Sequence, residues 1–147
     1  MLEFAHQEHI KSYYFDSRNQ TFELPPLTQQ EEADVCVIGA GFFGLSAALE
    51  LAEKGKKVIV LEGARVGFGA SGRSGGQAIN GFEEGIDEYI AQMGFDKAKK
   101  LWDMSLEAID IIDERIAKYG IQCDWKKGYA TLALNERRMD DLIEMEK

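Results

Sequence analysis

Three glycines within six residues are the first feature of the sequence that could do chemistry. The string runs from Gly39 through Gly41 to Gly44, between a short apolar run and a segment with helical periodicity. At such a junction the first glycine permits a sharp turn, the second lets a pyrophosphate approach the backbone, and the third allows close helix–strand packing. The free amides and the dipole of the helix start favour negative charge. The string therefore predicts a dinucleotide-binding turn.

Glu62 is the second chemical signal, because it lies 18 residues after Gly44 at the end of another apolar run. A carboxylate at this position can accept hydrogen bonds from the hydroxyls of an adenosine ribose. The same carboxylate would repel a 2′-phosphate. The pattern therefore favours FAD or NAD over NADP.

The elements that must position these residues form one predicted βαβ unit. Asp34 to Ile38 is an apolar run typical of a central parallel strand buried on both faces, with Cys36 as a small buried hydrophobe. A helix is predicted from about Phe42 to Lys54 and ends where Gly55 can adopt a left-handed conformation. Lys57 to Leu61 repeats the strand signal. Such units are right-handed in nearly all cases.

A glycine-rich segment from Gly63 to Gly81 distinguishes between the two dinucleotides. It contains seven of the 15 glycines, whereas an NAD domain would continue into another helix and a third parallel strand. The free amides of such a loop suit an extended cofactor, and Arg65 or Arg73 could meet phosphate charge. This segment therefore favours FAD. The side chains expected to hydrogen-bond along the cofactor are Ser71, Ser74 and Gln77.

These segments resemble the D-amino-acid oxidase and glycine oxidase superfamily of FAD-dependent enzymes. The resemblance rests on Asp34–Gly39 with its helix, on Leu61-Glu62 and on Gly67–Gln77. Further similarities at Ser12–Tyr14 and between Glu114 and Asp124 point to the amine oxidases that act on γ-glutamylputrescine. The resemblance implies hydride transfer from the amine-bearing carbon to the flavin, hydrolysis of the imine, and reoxidation by oxygen with release of hydrogen peroxide.

The resemblance also assigns cofactor-binding roles to individual residues. The glycine turn would hold the pyrophosphate, Glu62 the ribose, and Arg65 with the stretch from Ala70 to Gln77 would follow the flavin half. The segment from Gly63 to Gly81 contains no His or Cys, so a covalent anchor for FAD must lie elsewhere or be absent, and non-covalent binding is expected. No catalytic residue and no metal site is assigned. The full cofactor-binding set is Gly39, Ala40, Gly41, Phe43, Gly44, Glu62, Gly63, Arg65, Ala70, Ser71, Gly72, Arg73, Ser74, Gly75, Gly76 and Gln77.

The expected fold class is α/β: a Rossmann-like βαβ unit, the N-terminal part of a glutathione-reductase-type FAD domain, followed by the start of an α+β substrate domain. Residues 1–32 form an irregular arm whose aromatic residues could pack over the protein. Residues 33–82 form the FAD-binding unit, and residues 83–147 form helices and the incomplete substrate domain. In this last part, helices are predicted at Glu84–Met93 and Asp96–Tyr119, with Trp102 in the core, and from Asn135 onward. Strands are predicted at Cys123–Lys127 and Tyr129–Leu134.

Composition limits the possible partners. The net charge of −9, from 26 acidic and 17 basic residues, disfavours nucleic acid. No long apolar span or secretory leader is visible, and the two cysteines lack metal-ligand spacing, so a cytoplasmic protein away from membranes is expected. His6 and His9 lack a third ligand for a metal. The expected partners are a small-molecule amine and oxygen, and the sequence leaves the oligomeric state open.

Members of the superfamily are considerably longer than this chain, so we expect it to be an N-terminal fragment that alone binds FAD weakly and is inactive. Two alternatives stay open at this stage. One is a truncated, non-catalytic nucleotide-binding remnant, which shares every motif with the oxidase. The other is an NAD-linked dehydrogenase domain, which requires a third parallel strand after Glu62.

Overall fold

The computed structural model describes residues 9–21 and 23–145. It is a mixed α/β structure with a small parallel sheet. Short 3-10 turns cover Ala70–Arg73 and Glu136–Arg138. The strands and helices, in chain order, are α1 Tyr13–Asp16, β1 Val35–Ile38, α2 Phe42–Glu53, β2 Val58–Leu61, α3 Ile86–Met93, α4 Phe95–Tyr119 and α5 Met139–Met145.

The predicted strand–helix–strand unit is confirmed. β1 and β2 are parallel, with Val35 opposite Val58 and Ile38 opposite Leu61. Parallel neighbours require a crossover connection, and α2 supplies it. Gly55 follows the end of α2 and has a φ of 78°, and its N–H donates to the carbonyl of Ala52. The carboxyl ends of both strands therefore lie at the same edge of the sheet, where the glycine turn and Glu62 follow.

The prediction that β1 is buried on both faces is wrong. Val37 lies against α2, where its side chain is 3.4 Å from the position of a Cβ on Gly44. Successive side chains of a strand point to opposite faces, so Cys36 and Ile38 point away from α2. Both are exposed, and Ile38 is 87% exposed. In the described residues the sheet has only two strands, so one of its faces is open, and Cys36 is not the buried hydrophobe expected from the sequence.

Helices α3 and α4 confirm the two helices predicted after the glycine-rich loop. Gly120 ends α4 in the left-handed conformation, with a φ of 59°. Ion pairs join the end of α4 to α2: Arg115 to Glu50 at 3.1 Å and Lys118 to Glu53 at 2.5 Å. Hydrogen bonds from Lys118 and Tyr119 hold the pKa of Glu53 below its usual value. These contacts attach α4 to the βαβ unit.

The apolar stripe predicted along α4 is only partly a core. Ala98 is fully buried and Ser105 is nearly so, and α3 packs against this helix. Trp102, in contrast, is 37% exposed, and Ile112 and Tyr119 are also exposed. Placing Trp102 in the core was therefore wrong. A stripe that runs the length of a 25-residue helix is too long for the eight residues of α3 to cover.

The two strands predicted at Cys123–Lys127 and Tyr129–Leu134 are absent, because this described stretch contains no regular secondary structure. A strand requires a neighbour for its backbone hydrogen bonds, and none of the described elements lies alongside as one. The segment is instead held by side chains, since Trp125 Nε1 and Lys127 Nζ donate to the carboxylate of Asp113 on α4 at 2.8 and 2.7 Å. Cys123, at the start of this segment, is exposed.

The predictions for the two ends of the chain agree better with the structure. Asn135 caps the turn before α5 by accepting a hydrogen bond from the backbone N–H of Arg138, and the last two residues of the predicted helix lie outside the described residues. The described part of the arm is irregular apart from α1, which Ser12 caps. Asn19 donates to the carbonyl of Gln122, so the arm contacts the C-terminal segment. None of the helices in the described ranges has the length and apolarity needed to span a membrane.

Candidate nucleotide-binding site

The glycine turn has the backbone geometry that its sequence predicts. Gly39 has a φ of 100°, which favours glycine, and its N–H donates to the carbonyl of Leu61 at 2.7 Å. Gly41 is the N-cap of α2. A Cβ on Gly44 would lie 2.0 Å from the carbonyl oxygen of Gly39, so only glycine allows the helix to approach the strand this closely. The first-turn amides of α2 therefore face the turn, where no carbonyl of the helix can reach them.

Glu62 lies against this turn. One of its carboxylate oxygens accepts a hydrogen bond from the N–H of Ala40 at 2.7 Å, and the other accepts one from Ala64 at 3.0 Å. The side chain is nonetheless exposed. A carboxylate offers about four lone-pair sites, so two further donors can bind after these two amides are satisfied. The turn and the carboxylate thus form one site at the carboxyl edge of the sheet.

Ser71 brings the glycine-rich loop back onto the same turn. Its hydroxyl accepts a hydrogen bond from the N–H of Phe42 at 3.0 Å, and a Cβ on Gly41 would lie 2.8 Å from that oxygen. The loop is anchored a second time by Gly67, whose N–H donates to the carbonyl of Ala40 at 3.0 Å. Gly67 was not among the predicted site residues, although its position five residues before Gly72 was a usable signal. A Cβ on Gly72 would lie 2.1 Å from the carbonyl of Gly67, so the loop folds tightly on itself.

These residues fit the ADP half of a dinucleotide. The glycine turn lies at the start of a 12-residue helix, an arrangement that favours a pyrophosphate. Glu62 offers acceptors for ribose hydroxyls at the adjacent strand end. The fit rests on the glycine turn, Glu62 and Ser71, which the structure brings together.

The other predicted loop residues are divided between two cavities. Arg65, Gly72 and Arg73 line one cavity, which lies between the loop and the N-terminal arm. Gly76 and Gln77 line a second cavity beside α4. Ser74 makes a local contact, since its hydroxyl accepts a hydrogen bond from the Gly76 N–H at 3.2 Å. Contact of Gly63, Ala70, Ser74 and Gly75 with a cofactor stays a prediction, as it does for the residues that line the cavities.

The first of these spaces, which we call the arm cavity, has a volume of about 740 Å³. The His9 ring lies beside it, 4.6 Å from the Phe15 ring and 5.5 Å from the Phe68 ring. Partial burial, followed by the charges of Arg65, Arg18 and Arg73, holds the pKa of His9 below its usual value. The arm thus packs over the glycine-rich loop, as its aromatic residues predicted. No local pattern predicted that Arg18 would line the same cavity as Arg65 and Arg73 of the loop.

The second space, which we call the helix cavity, has a volume of about 490 Å³. Gln77 at the end of the glycine-rich loop, Asp110 and Asp113 of α4, and the segment from Cys123 to Tyr129 line it. Hydrogen bonds from Lys127 and Trp125 hold the pKa of Asp113 below its usual value. Over the described ranges no group of three or more His, Cys, Asp or Glu side chains could hold a metal ion. His6, considered above as a weak metal ligand, lies outside those ranges.

Comparison with known proteins gives the site a family. A family model described as FAD-dependent oxidoreductase, DAO, matches residues 34–147. The chain is 88% identical to the probable oxidoreductase OrdL of Haemophilus influenzae over all of its 147 residues, which cover 34% of that protein. It is 44% identical to the gamma-glutamylputrescine oxidoreductase of Escherichia coli over 140 residues, 95% of this chain and 33% of that protein. No solved structure matches.

The lengths of the relatives and the family match concern two predictions, namely that the chain is a fragment and that it resembles FAD-dependent oxidases. The chain spans about a third of the length of these two relatives, which is consistent with a fragment. The matched range begins at Asp34, directly before β1, and contains the glycine turn, Glu62 and the glycine-rich loop. The chain therefore belongs to the DAO family of FAD-dependent oxidoreductases.

Proposed function

We propose that this chain supplies the ADP-binding part of a Rossmann-like FAD site in an amine oxidase. The observation that carries the proposal is the Glu62 carboxylate, which lies 2.7 Å from the Ala40 N–H at the end of the neighbouring strand. The glycine turn would hold the pyrophosphate, and Glu62 would hold the ribose. Ser71 would bind the cofactor where the pyrophosphate joins the ribose. The glycine-rich loop would bind the cofactor without a covalent link, because the loop has no His or Cys.

The loop after Glu62 supports FAD over NAD. An NAD-linked dehydrogenase domain requires a third parallel strand after this carboxylate. In the described residues the sheet contains only β1 and β2, and a 3-10 turn at Ala70–Arg73 occupies the loop. Ser71 of that turn hydrogen-bonds back to the start of α2. Over the described residues the loop thus returns to the pyrophosphate turn and does not add a third parallel strand.

FAD, when bound, would supply the redox chemistry by accepting a hydride from the amine-bearing carbon and passing the electrons to oxygen as hydrogen peroxide. The residues of this chain would bind and orient the cofactor. The name of the Escherichia coli relative supports γ-glutamylputrescine or a similar amine as the substrate. We assign no catalytic residue within these 147 residues.

The proposed activity is tested with the intact gene product. We expect it to purify with flavin absorbance and to release hydrogen peroxide with γ-glutamylputrescine, at a higher kcat/KM than with putrescine or D-alanine. Flavin that is reduced by the amine but reoxidised only by an artificial acceptor would identify a dehydrogenase instead. Intact protein without bound flavin and without FAD affinity would contradict the proposed site.

A pair of variants tests whether Gly41 serves the cofactor or only the local packing. Gly41→Ala places a methyl group 2.8 Å from the Ser71 hydroxyl, whereas combining it with Ser71→Ala removes that oxygen and relieves the overlap. Because a methyl group would also face the pyrophosphate, we expect both variants to bind FAD about tenfold more weakly than wild type. Ser71→Ala alone is the control for the lost hydroxyl, and FAD titration measures all three. Wild-type affinity in the double variant would show that Gly41 is needed only for its contact with Ser71.

A further inference from the structure

We propose that the arm cavity is a second binding site, for a small molecule that carries a phosphate or carboxylate group. Its lining contains the side chains of Lys11, Arg18, Arg65 and Arg73, against one carboxylate, that of Glu23. The chain as a whole carries nine more negative than positive charges. A cavity lined mainly by positive charges attracts anions, even in a protein whose net charge is negative.

The arm cavity is separate from the nucleotide turn, so the proposal reassigns Arg65, Gly72 and Arg73 from the cofactor, for which the sequence predicted them, to the second ligand. None of its lining residues belongs to the turn from Gly39 to Gly44, and Glu62 is not among them. The 3-10 turn of the loop divides the two sites: Ser71 contacts the start of α2, whereas the next two residues, Gly72 and Arg73, line the arm cavity. A ligand in this cavity would therefore contact the arm and the far side of the loop.

Two of the arginines are held in place by neutral partners. The Arg18 guanidinium stacks 3.5 Å from the centre of the Phe15 ring and donates to the Thr21 hydroxyl and the Phe15 carbonyl. Arg73 donates to the carbonyl of Phe68 at 3.2 Å. Over the described ranges neither guanidinium forms an ion pair, although Arg115 and several lysines do. A guanidinium has five N–H donors, so both can bind a further oxyanion in the planar geometry that phosphate and carboxylate share.

The size and the walls of the cavity indicate what the rest of the ligand is like. A volume of about 740 Å³ lies within the range of small-molecule sites and exceeds what a single phosphate ion requires. Ile10, Phe15 and Val66 supply apolar wall, and Ser12, Gln20 and Thr21 supply polar groups. The structure thus fits an organic anion, with one end at the arginines and an apolar part against the arm.

Calorimetric titration of the intact gene product with inorganic phosphate and, separately, with succinate tests the proposal and distinguishes the two anion sources. We expect saturable binding of at least one probe, weakened about tenfold or more by the double variant Arg18→Gln/Arg73→Gln. Lys56→Gln, which removes one exposed positive charge elsewhere, is the control and should bind like wild type. Equal binding by the double variant and wild type, or no saturable binding of either probe, would overturn the proposal.

Two further measurements separate this site from the cofactor site and from a purely structural role. Binding of the probe should persist in protein saturated with FAD, and competition by FAD would instead assign the cavity to the cofactor. A bound anion beside Arg18, Arg65 and Arg73 also offsets their repulsion of the imidazolium, so the pKa of His9 should rise when the probe is added, as followed by NMR. The other charged groups in the lining are Lys11 and Glu23. If the pKa of His9 is unchanged at a saturating concentration of the probe, the anion binds elsewhere and the proposed site is rejected.

Discussion

Replacing Gly44 by alanine is expected to destabilise the intact gene product by about 3 kcal/mol and to abolish FAD retention. The added Cβ would lie 2.0 Å from the carbonyl oxygen of Gly39 and 3.2 Å from its carbonyl carbon, and both are backbone atoms that cannot rotate away. Alanine is favoured over glycine in a helix by about 1 kcal/mol, which is too little to offset this overlap. The helix must therefore move off β1, and the turn between them opens.

Gly85→Ala is the matched control, because a Cβ on Gly85 would meet no atom within 4 Å and its extended backbone, with φ −64° and ψ 154°, suits any residue. Denaturant unfolding and flavin absorbance after gel filtration measure the two effects. Near-wild-type stability of Gly44→Ala, with flavin retained, would show that α2 does not pack on β1 as closely as described here.

Replacing Glu62 by glutamine is expected to weaken FAD binding about 10- to 100-fold, since hydrogen bonds to charged groups contribute roughly 1.5–3 kcal/mol. Both carboxylate oxygens accept backbone N–H groups, from Ala40 and from Ala64. A glutamine can satisfy only one of them, because its NH₂ group would face the other donor. The substitution thus disturbs the turn and also removes the charged acceptor for the ribose.

Glu83→Gln, at an exposed glutamate with no ion pair in the described residues, is the control for the lost charge. FAD titration followed by flavin fluorescence gives the affinities, and thermal unfolding of the FAD-free proteins shows whether the fold is intact. An affinity for FAD equal in Glu62→Gln and wild type would remove the ribose role from Glu62. The proposed FAD site would then lose its strongest support.

The sequence was informative where a local pattern determines the structure by itself. The glycine string predicts the turn because close packing at Gly44 and the positive φ at Gly39 exclude other residues. The helix ends at Gly55 and Gly120 follow from the same conformational preference. The position of Glu62 follows because parallel strands with a crossover helix end at the same edge. These features need only a few neighbouring residues.

Features that depend on distant partners were predicted poorly. The apolar alternation at Tyr129–Leu134 is typical of a strand, yet no strand forms there in the described chain, since Leu132 and Leu134 find no cover and remain exposed. Burial of Cys36 and Trp102 failed for the same reason, because periodicity identifies an apolar face but cannot show what covers it. Arg18 of the arm lines the same cavity as Arg65 and Arg73 of the loop, and no local pattern encodes this arrangement.

The most direct test of the central claim is a structure of the intact gene product with FAD. The account predicts that the ribose hydroxyls of the ADP half lie within about 3.2 Å of the Glu62 carboxylate and that the pyrophosphate contacts the backbone at Gly41. An adenosine group bound elsewhere, with Glu62 still bonded only to Ala40 and Ala64, would contradict it.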